Sequence, residues 1–477
     1  MDDAPVRKAE REDAYAGLAS PEAAAEARAG RRTLVFQRRF WPAWTAFVLG
    51  VFADNALRQA LIIGISFGAV SAPGFLGGDD SIPVIGSLFA VSMLVFSSVA
   101  GQVADRNETA FLFRRTKLAE VVIMAAAGAA FIADSGGALI VCLFAMGAQS
   151  AFFSPARTAA MPKYFAPREL LRANGLFNAG LYVAVVVGLL VGGALIDRPD
   201  GARAVAAVLF IAAGLGWSAS LRAPSARAGA PDLEIDWSIV RQTIRLARFA
   251  GAAPGVLRPI LGVAFFFFLS TMVTVLVPLY VRDGLGAGAG VANILMGGFA
   301  IGAGLGALGV SALAKGGAGL RLSTIGMAGS CAATVLAAAL TAPAARALQS
   351  GTGDADAFFG APVGVALFAL FTTSAAMLGF FVVPLQAAIQ RRAPEDRRAR
   401  IIAANNMLVA LAAIGGSLSV LTVTGAGVTP QAALFAAAFL QALVGAEMIR
   451  RARRVAPGLH DDGLEPKKTA PPRGDAV

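Results

Sequence analysis

SPARTAAMPKYFAPRELLRANG (residues 154–175) and VPLQAAIQRRAPEDRRARIIAANN (residues 383–406) are the two stretches on which the fold turns. Each places a proline late in an apolar run. Each follows it with a basic loop built on Ala-Pro and an acid, Pro167 with Glu169 and Pro394 with Glu395. Each then opens the next apolar run with Ala-Asn. Pro155 and Pro384 lie 229 positions apart. A unit that returns at this distance in the same orientation implies a chain made of two like halves.

The surroundings of the repeat set the scale of each half. The 477 residues are 57% hydrophobic and 15% charged, with mean hydropathy +0.67. Soluble domains carry about 25% charged residues. Apolar runs lie at 42–69, 82–104, 115–134, 137–161, 173–196 and 203–221, and again at 259–281, 288–314, 321–342, 360–390, 401–424 and 430–449. Most reach the roughly 20 residues that a helix needs to cross a bilayer. The expected architecture is all-α and integral to the membrane, with twelve transmembrane helices in two six-helix halves. The expected segments are 1–33 (cytoplasmic, loosely helical or disordered), 34–221, a linker at 222–256, 257–454 and a disordered tail at 455–477.

Loop charge orients these spans. One set of alternate loops holds Arg106, Arg114, Arg115 and Lys117, then Lys163, Arg168 and Arg172, then Lys315 and Arg321, then Arg391, Arg392, Arg397, Arg398 and Arg400. The other set holds few bases and several acids, among them Asp79, Asp80, Asp354 and Asp356. The positive-inside rule then puts both termini in the cytoplasm. It also accounts for the net charge of +11 without nucleic acid. In the linker, Arg241, Arg245 and Arg248 share one helical face, the pattern of an interfacial helix.

Within the first span, FADNALRQALII (residues 52–63) carries Asp54, Asn55, Arg58 and Gln59. At about 100° per residue these fall within roughly 140° of arc, so one helix face is polar. Ionisable groups inside a membrane are costly and usually face a partner or a cavity. Asp54 and Arg58, four apart, are placed to pair along the helix. The repeat adds Arg157, two residues after Pro155, and Gln386, two after Pro384, at corresponding places in the halves. Asp54, Asn55, Arg58, Arg157 and Gln386 are the expected substrate-binding residues. Ser270, Thr271 and Thr274 break the seventh run. Gly101, Asp105 and Arg106, in GQVADR, are expected to form a cytoplasmic gate, and Glu120 and Glu447 to anchor span ends.

Several classes are excluded or weakened. Cys142 and Cys331 have no metal-ligand spacing, and the single His460 lies in the polar tail. The glycine-rich 297–309 lacks the Lys-Ser/Thr of a phosphate loop. No nucleophile–base set, metal cluster or cofactor motif is visible, which disfavours a lipid-modifying enzyme. A scaffold or receptor needs neither charges in mid-span nor paired halves.

Four segments carry a resemblance across both halves: FADNAL (52–57), GQVAD (101–105), FSPAR with LLRANGL (153–157, 170–176) and GFFVVPLQAAIQ (379–390). On these the chain resembles a major-facilitator transporter, specifically the bacterial lysophospholipid transporter family. Arg157 stands where that family usually has Lys, and the seventh span lacks the family's basic residue. The resemblance implies alternating access around a central site in the inner membrane and inward movement of a lysophospholipid; the protein is expected to be a monomer. It also implies a functional link to a lysophospholipid acyltransferase. The alternative on the same fold is a proton-coupled exporter of drugs or small metabolites, with Asp54 titrating.

Overall fold

The computed structural model describes residues 37–72, 81–165, 167–228, 230–238, 241, 254–313, 319–349, 355–392 and 398–454. These form helices α1 (Trp41–Ser66), α2 (Ser81–Arg106), α3 (Thr109–Ile132), α4 (Gly136–Tyr164), α5 (Pro167–Ile196) and α6 (Gly201–Ser220). They continue with α7 (Pro254–Leu279), α8 (Ala289–Leu313), α9 (Gly319–Ala339), the short α10 (Thr341–Gln349) and α11 (Ala355–Gly360), then α12 (Pro362–Arg392), α13 (Arg398–Gly425) and α14 (Pro430–Arg454). A π-type turn, Tyr280–Leu285, extends α7 and ends on Gly286, whose φ of 65° suits a residue without Cβ.

Ten of the twelve long helices are long and apolar enough to cross a membrane, and α2 makes eleven when its two bent parts are counted as one. The remaining helix is α3. It falls short because Arg114, Arg115, Lys117 and Glu120, expected in a loop or at a span end, lie inside it. The protein is an all-helical, multi-pass membrane protein.

The same pairs of helices pack in both sets of six. α1 lies on α5 as α7 lies on α13, α2 on α4 as α8 on α12, and α3 on α6 as α9 on α14. Missing side chains make the first pair possible in each set. A Cβ on Gly192 of α5 would press on the Ala56 backbone of α1, and one on Gly416 of α13 on the Phe268 backbone of α7. Such small-residue contacts let apolar helices associate where no hydrophobic effect drives them together.

The two sets meet along α2–α13 and α5–α8. Four hydrogen bonds cross between them among the described residues: Gln59 Nε2 to Met296 Sδ (3.0 Å), Arg282 Nη1 to Ser66 O (2.9 Å), Asn293 Nδ2 to Leu190 O (2.9 Å) and Ser417 Oγ to Pro83 O (2.6 Å). By chain direction, all four lie in the helix portions remote from the ends of α1 and α14 nearest the termini.

The first part of the linker is not helical. Residues 222–228 and 230–238 run as turns and irregular chain across the N-terminal set. Ala226 O accepts from Thr109 N (3.1 Å), Pro224 O from Tyr164 Oη (2.7 Å) and Arg227 O from Lys163 Nζ (2.7 Å). Ala230 N donates to Asp105 O (2.8 Å), and Asp236 N to Gln102 Oε1 (2.7 Å). Arg241 is exposed. The rest of the expected interfacial helix, with Arg245 and Arg248, lies outside the described residues, as do the tails and most of the basic loop after α12.

Candidate functional site

The polar face of α1 is built as its periodicity predicts, but its partners differ from those expected. Asn55 and Gln59 are buried, and Asp54 and Arg58 are half-buried. Asp54 and Arg58 do not pair. Arg58 Nη2 donates to Asn55 Oδ1 (2.8 Å), whose Nδ2 donates to Val51 O (2.7 Å) one turn back. Asp54 Oδ2 instead accepts from Ser150 Oγ of α4 (2.8 Å). Asp54 Oδ1 and Arg58 Nε are buried and have no hydrogen-bond partner.

Behind Ser150 stands a fully buried ion pair. Lys117 Nζ lies 2.6 Å from Glu120 Oε2, with side-chain exposures of 1% and 0%. Lys117 Nζ also sits 4.6 Å from the centroid of the Phe153 ring, a cation–π distance. Gln149 Nε2 donates to the same Glu120 Oε2 (3.1 Å) and to Thr116 O (3.0 Å). Gly50 of α1 leaves room for the ammonium: a Cβ there would collide with Lys117 Nζ. Lys117 is therefore no loop base and Glu120 no anchor at a span end. Glu447 does behave as a surface group, paired with Arg450 at 2.6 Å.

Arg157 is half-buried, with its guanidinium 4.3 Å from the centroid of Phe47 on α1 and Nε without a hydrogen-bond partner. Phe47 is seven residues before Asp54, as Arg157 is seven after Ser150. The guanidinium thus lies about two turns, roughly 10 Å, from Asp54, toward the end carrying the termini. Arg58, Asp54 and Arg157 form a line along the α1–α4 face. Gln386 does not join it. It is exposed on α12 and makes no hydrogen bond among the described residues, and Thr274 of α7 turns its hydroxyl to Ser270 O (2.8 Å).

Of the expected gate residues, Asp105 and Arg106 are exposed at the end of α2, and Gly101 has open space where a Cβ would go. The Asp105 carbonyl holds the linker, and its carboxylate makes no hydrogen bond among the described residues. The residues missed from sequence are Lys117, Glu120, Gln149 and Ser150. Opposite charges three apart at the edge of an apolar run were the available signal, since at that spacing they share a helix face. No group of three or more metal-ligating side chains occurs among the described residues.

Curated relatives include the Lysophospholipid transporter LplT of Serratia proteamaculans (strain 568), 29% identical over 174 residues, 35% of this chain and 38% of that protein. The transporter of the same name from Cronobacter sakazakii (strain ATCC BAA-894) is 27% identical over 200 residues, 41% of this chain and 46% of that one. The matches thus span less than half the length of these relatives. Among solved structures, a POT family transporter in complex with 5-aminolevulinic acid aligns with TM-score 0.62 at 11% identity, covering 87% of this chain and 96% of that one. The nucleoside transporter NupG aligns with TM-score 0.59 at 13% identity, covering 87% and 100%. At such identities these two speak for the fold alone. The family model described as Major Facilitator Superfamily matches residues 76–417. With the helix pairing repeated in both sets of six, that match settles the family: the chain belongs to the major facilitator superfamily of transporters.

Proposed function

We propose that this transporter moves lysophospholipids across the bacterial inner membrane by alternating access. The observation that carries the reading is the line of unsatisfied polar atoms on α1 and α4: Arg58 Nε, Asp54 Oδ1 and Arg157 Nε. A buried polar atom without a partner costs free energy, so such atoms mark where a ligand completes the bonding. One acid between two guanidinium groups complements a headgroup with an ammonium and a phosphate. Asp54 takes the ammonium, and Arg58 or Arg157 takes the phosphate by charge-assisted bonds. The partial likeness to the LplT proteins supports this substrate class.

In this reading the termini face the cytoplasm, as the loop charges require. The four bonds between the helix sets then close the outer side, and the headgroup leaves past Arg157 toward the inner leaflet. The protein works as a monomer, and its product is a substrate for a lysophospholipid acyltransferase. Gly101, Asp105 and Arg106 form the inner gate, and Gln386 meets the headgroup from the other half once the halves close over it.

The test is inward movement of labelled lysophosphatidylethanolamine in spheroplasts or proteoliposomes. Wild-type protein moves it, and Asp54→Ala, expressed at the same level, does not. A wild-type protein that moves none would sink the substrate. Flipping by the variant at the normal rate would sink the site.

The half-satisfied carboxylate of Asp54 favours one further reading, a proton-coupled exporter in which Asp54 carries the proton. There an imposed pH gradient drives transport and Asp54→Asn uncouples it while keeping substrate binding. Transport indifferent to the gradient removes that alternative.

A further inference from the structure

Ser150 has one hydroxyl hydrogen and two acceptors facing it, Asp54 Oδ2 at 2.8 Å and Gln149 Oε1 at 3.3 Å. It can donate to only one at a time. Gln149 cannot turn away. Both its amide hydrogens are taken, by Glu120 Oε2 and Thr116 O, and a flipped amide would set oxygen against two acceptors. Glu120 is held in turn by Lys117, and Lys117 by the space over Gly50 and the Phe153 ring. The result is a rigid chain, Lys117–Glu120–Gln149, ending in a carbonyl aimed at a mobile hydroxyl that also serves Asp54.

We propose that Ser150 is a two-position hydrogen-bond switch, positioned by Gln149 and the buried Lys117–Glu120 pair, that sets how firmly Asp54 stays a free carboxylate. With Asp54 unoccupied, Ser150 donates to it. When a cationic group or a proton satisfies Asp54, the hydroxyl turns to Gln149 Oε1 and presents its lone pairs to α1. Binding at Asp54 is thereby felt at the α3–α4 contact, where the charged groups facing the switch are Lys117 and Glu120, with Arg58 on α1 itself.

The opposite set of helices supplies an internal comparison. At the α9–α12 contact, the counterpart of α3–α4, Ser330, Thr334 and Ser374 join with Gln441 of α14 in a buried network at 3.0 Å spacings with no charge in it. The fold therefore needs no buried ion pair at this contact. A buried pair stabilises little in net terms compared with apolar or neutral replacements, so the Lys117–Glu120 pair is retained for what it orients. The switch rests on the reading of Asp54 as a binding group, but its test does not depend on the substrate.

A hydrophobic carbodiimide attacks protonated carboxyls in apolar surroundings. The carboxyl proton passes to a carbodiimide nitrogen and the carboxylate oxygen bonds the central carbon. On the full-length protein in detergent, at one fixed pH at which only a small part of wild-type Asp54 labels, adduct formation on the Asp54 peptide is followed by mass spectrometry, apart from the Glu120 peptide. Ser150→Ala removes the donor that favours the carboxylate and raises Asp54 labelling about tenfold, the worth of a hydrogen bond to a charged group. Gln149→Leu removes the side-chain acceptor that competes with Asp54 and lowers labelling severalfold; Gln149→Met serves the same purpose should the leucine variant not fold. A merely structural role predicts changes of the same sign in both. Shifts of equal sign, or none, overturn the switch. Opposite shifts uphold it even where wild-type protein fails to move lysophosphatidylethanolamine, a failure that would count against the substrate assignment alone.

Discussion

At the scale of single residues, the polar line on α1 and α4 separates groups that meet a ligand from groups that hold others in place. Arg157 tests the first kind. Its guanidinium is half-buried against Phe47 with Nε unpartnered, whereas a snorkelling arginine turns its head to water. Arg157→Lys keeps the charge and loses the planar fork, so partial transport of labelled lysophospholipid is expected, and little for Arg157→Gln. Equal activity in the two variants would assign Arg157 to packing. Lys117 and Glu120 test the second kind. Removing one partner strands a buried charge, so Glu120→Leu should destabilise the detergent-solubilised protein by about 3–5 kcal/mol, and Lys117→Met with Glu120→Leu by far less. Thermal unfolding of the two variants side by side measures this; equal losses would mean that the pair is not stranded by single replacement. The polar face of α1 was legible because helix periodicity alone gathers Asp54, Asn55, Arg58 and Gln59. The buried pair was not, because in a sequence a Lys at the edge of an apolar run reads as a loop end. Only the fold supplies Gly50, Phe153 and Gln149 to surround it.

At the scale of helices, glycines distinguish packed faces from open ones. A Cβ on Gly192 meets Ala56 backbone, which cannot yield, whereas Gly214 of α6 has nothing within 4 Å. Gly192→Ala should therefore cost about 1–3 kcal/mol through overpacking. Gly214→Ala should be neutral or stabilising by about 0.5–1 kcal/mol through helix propensity. Melting temperatures of the pair decide it, and a Gly192→Ala variant as stable as wild type would mean that α1 and α5 slide freely. At the opposite end of α3, Asp134 accepts from Ser71 N (2.7 Å) and Ser71 Oγ (2.5 Å), which ties the turn after α3 to the chain leaving α1. The Ser71 hydroxyl, and then its backbone amide, hold the Asp134 carboxyl below its usual value. A lowered folded-state value means that the tie is intact above the ordinary aspartate range and is lost as pH falls through the folded value. Protease nicking at 71–72 should accordingly rise at acid pH in wild type and be pH-independent in Asp134→Asn. The positions of the twelve long helices were legible to within several residues, since apolar run length sets them. The course of 222–238 was not, because its binding to α2, α3 and α4 is made by backbone groups that any sequence possesses.

At the scale of the molecule, the bonds between the two helix sets are neutral acceptors and donors at one end, apart from Arg282. Neutral bonds are suited to breaking and reforming in each cycle, since each contributes only about 0.5–1.5 kcal/mol net. Alternating access requires two arrangements of similar free energy, and a change of 1–3 kcal/mol redistributes them by about 5–150-fold. Asn293→Ala removes the bond to Leu190 O, and Ser417→Ala the bond to Pro83 O, from the α5–α8 and α2–α13 contacts. The double variant should therefore shift the population toward the arrangement open at this end. Spin labels at the exposed Ala69 and at Gly290, which has open space for a side chain, lie at the end that carries the Ser66–Arg282 bond and report it as a longer distance component in the double variant than in wild type. Asp54→Asn with both seals intact should leave the distribution where wild type has it, since Asp54 bonds only within its own set of helices. A double variant whose distances match wild type would show that apolar packing, such as Leu190 against Gly297 and Val275 against Gly86, rather than these hydrogen bonds, holds the end closed.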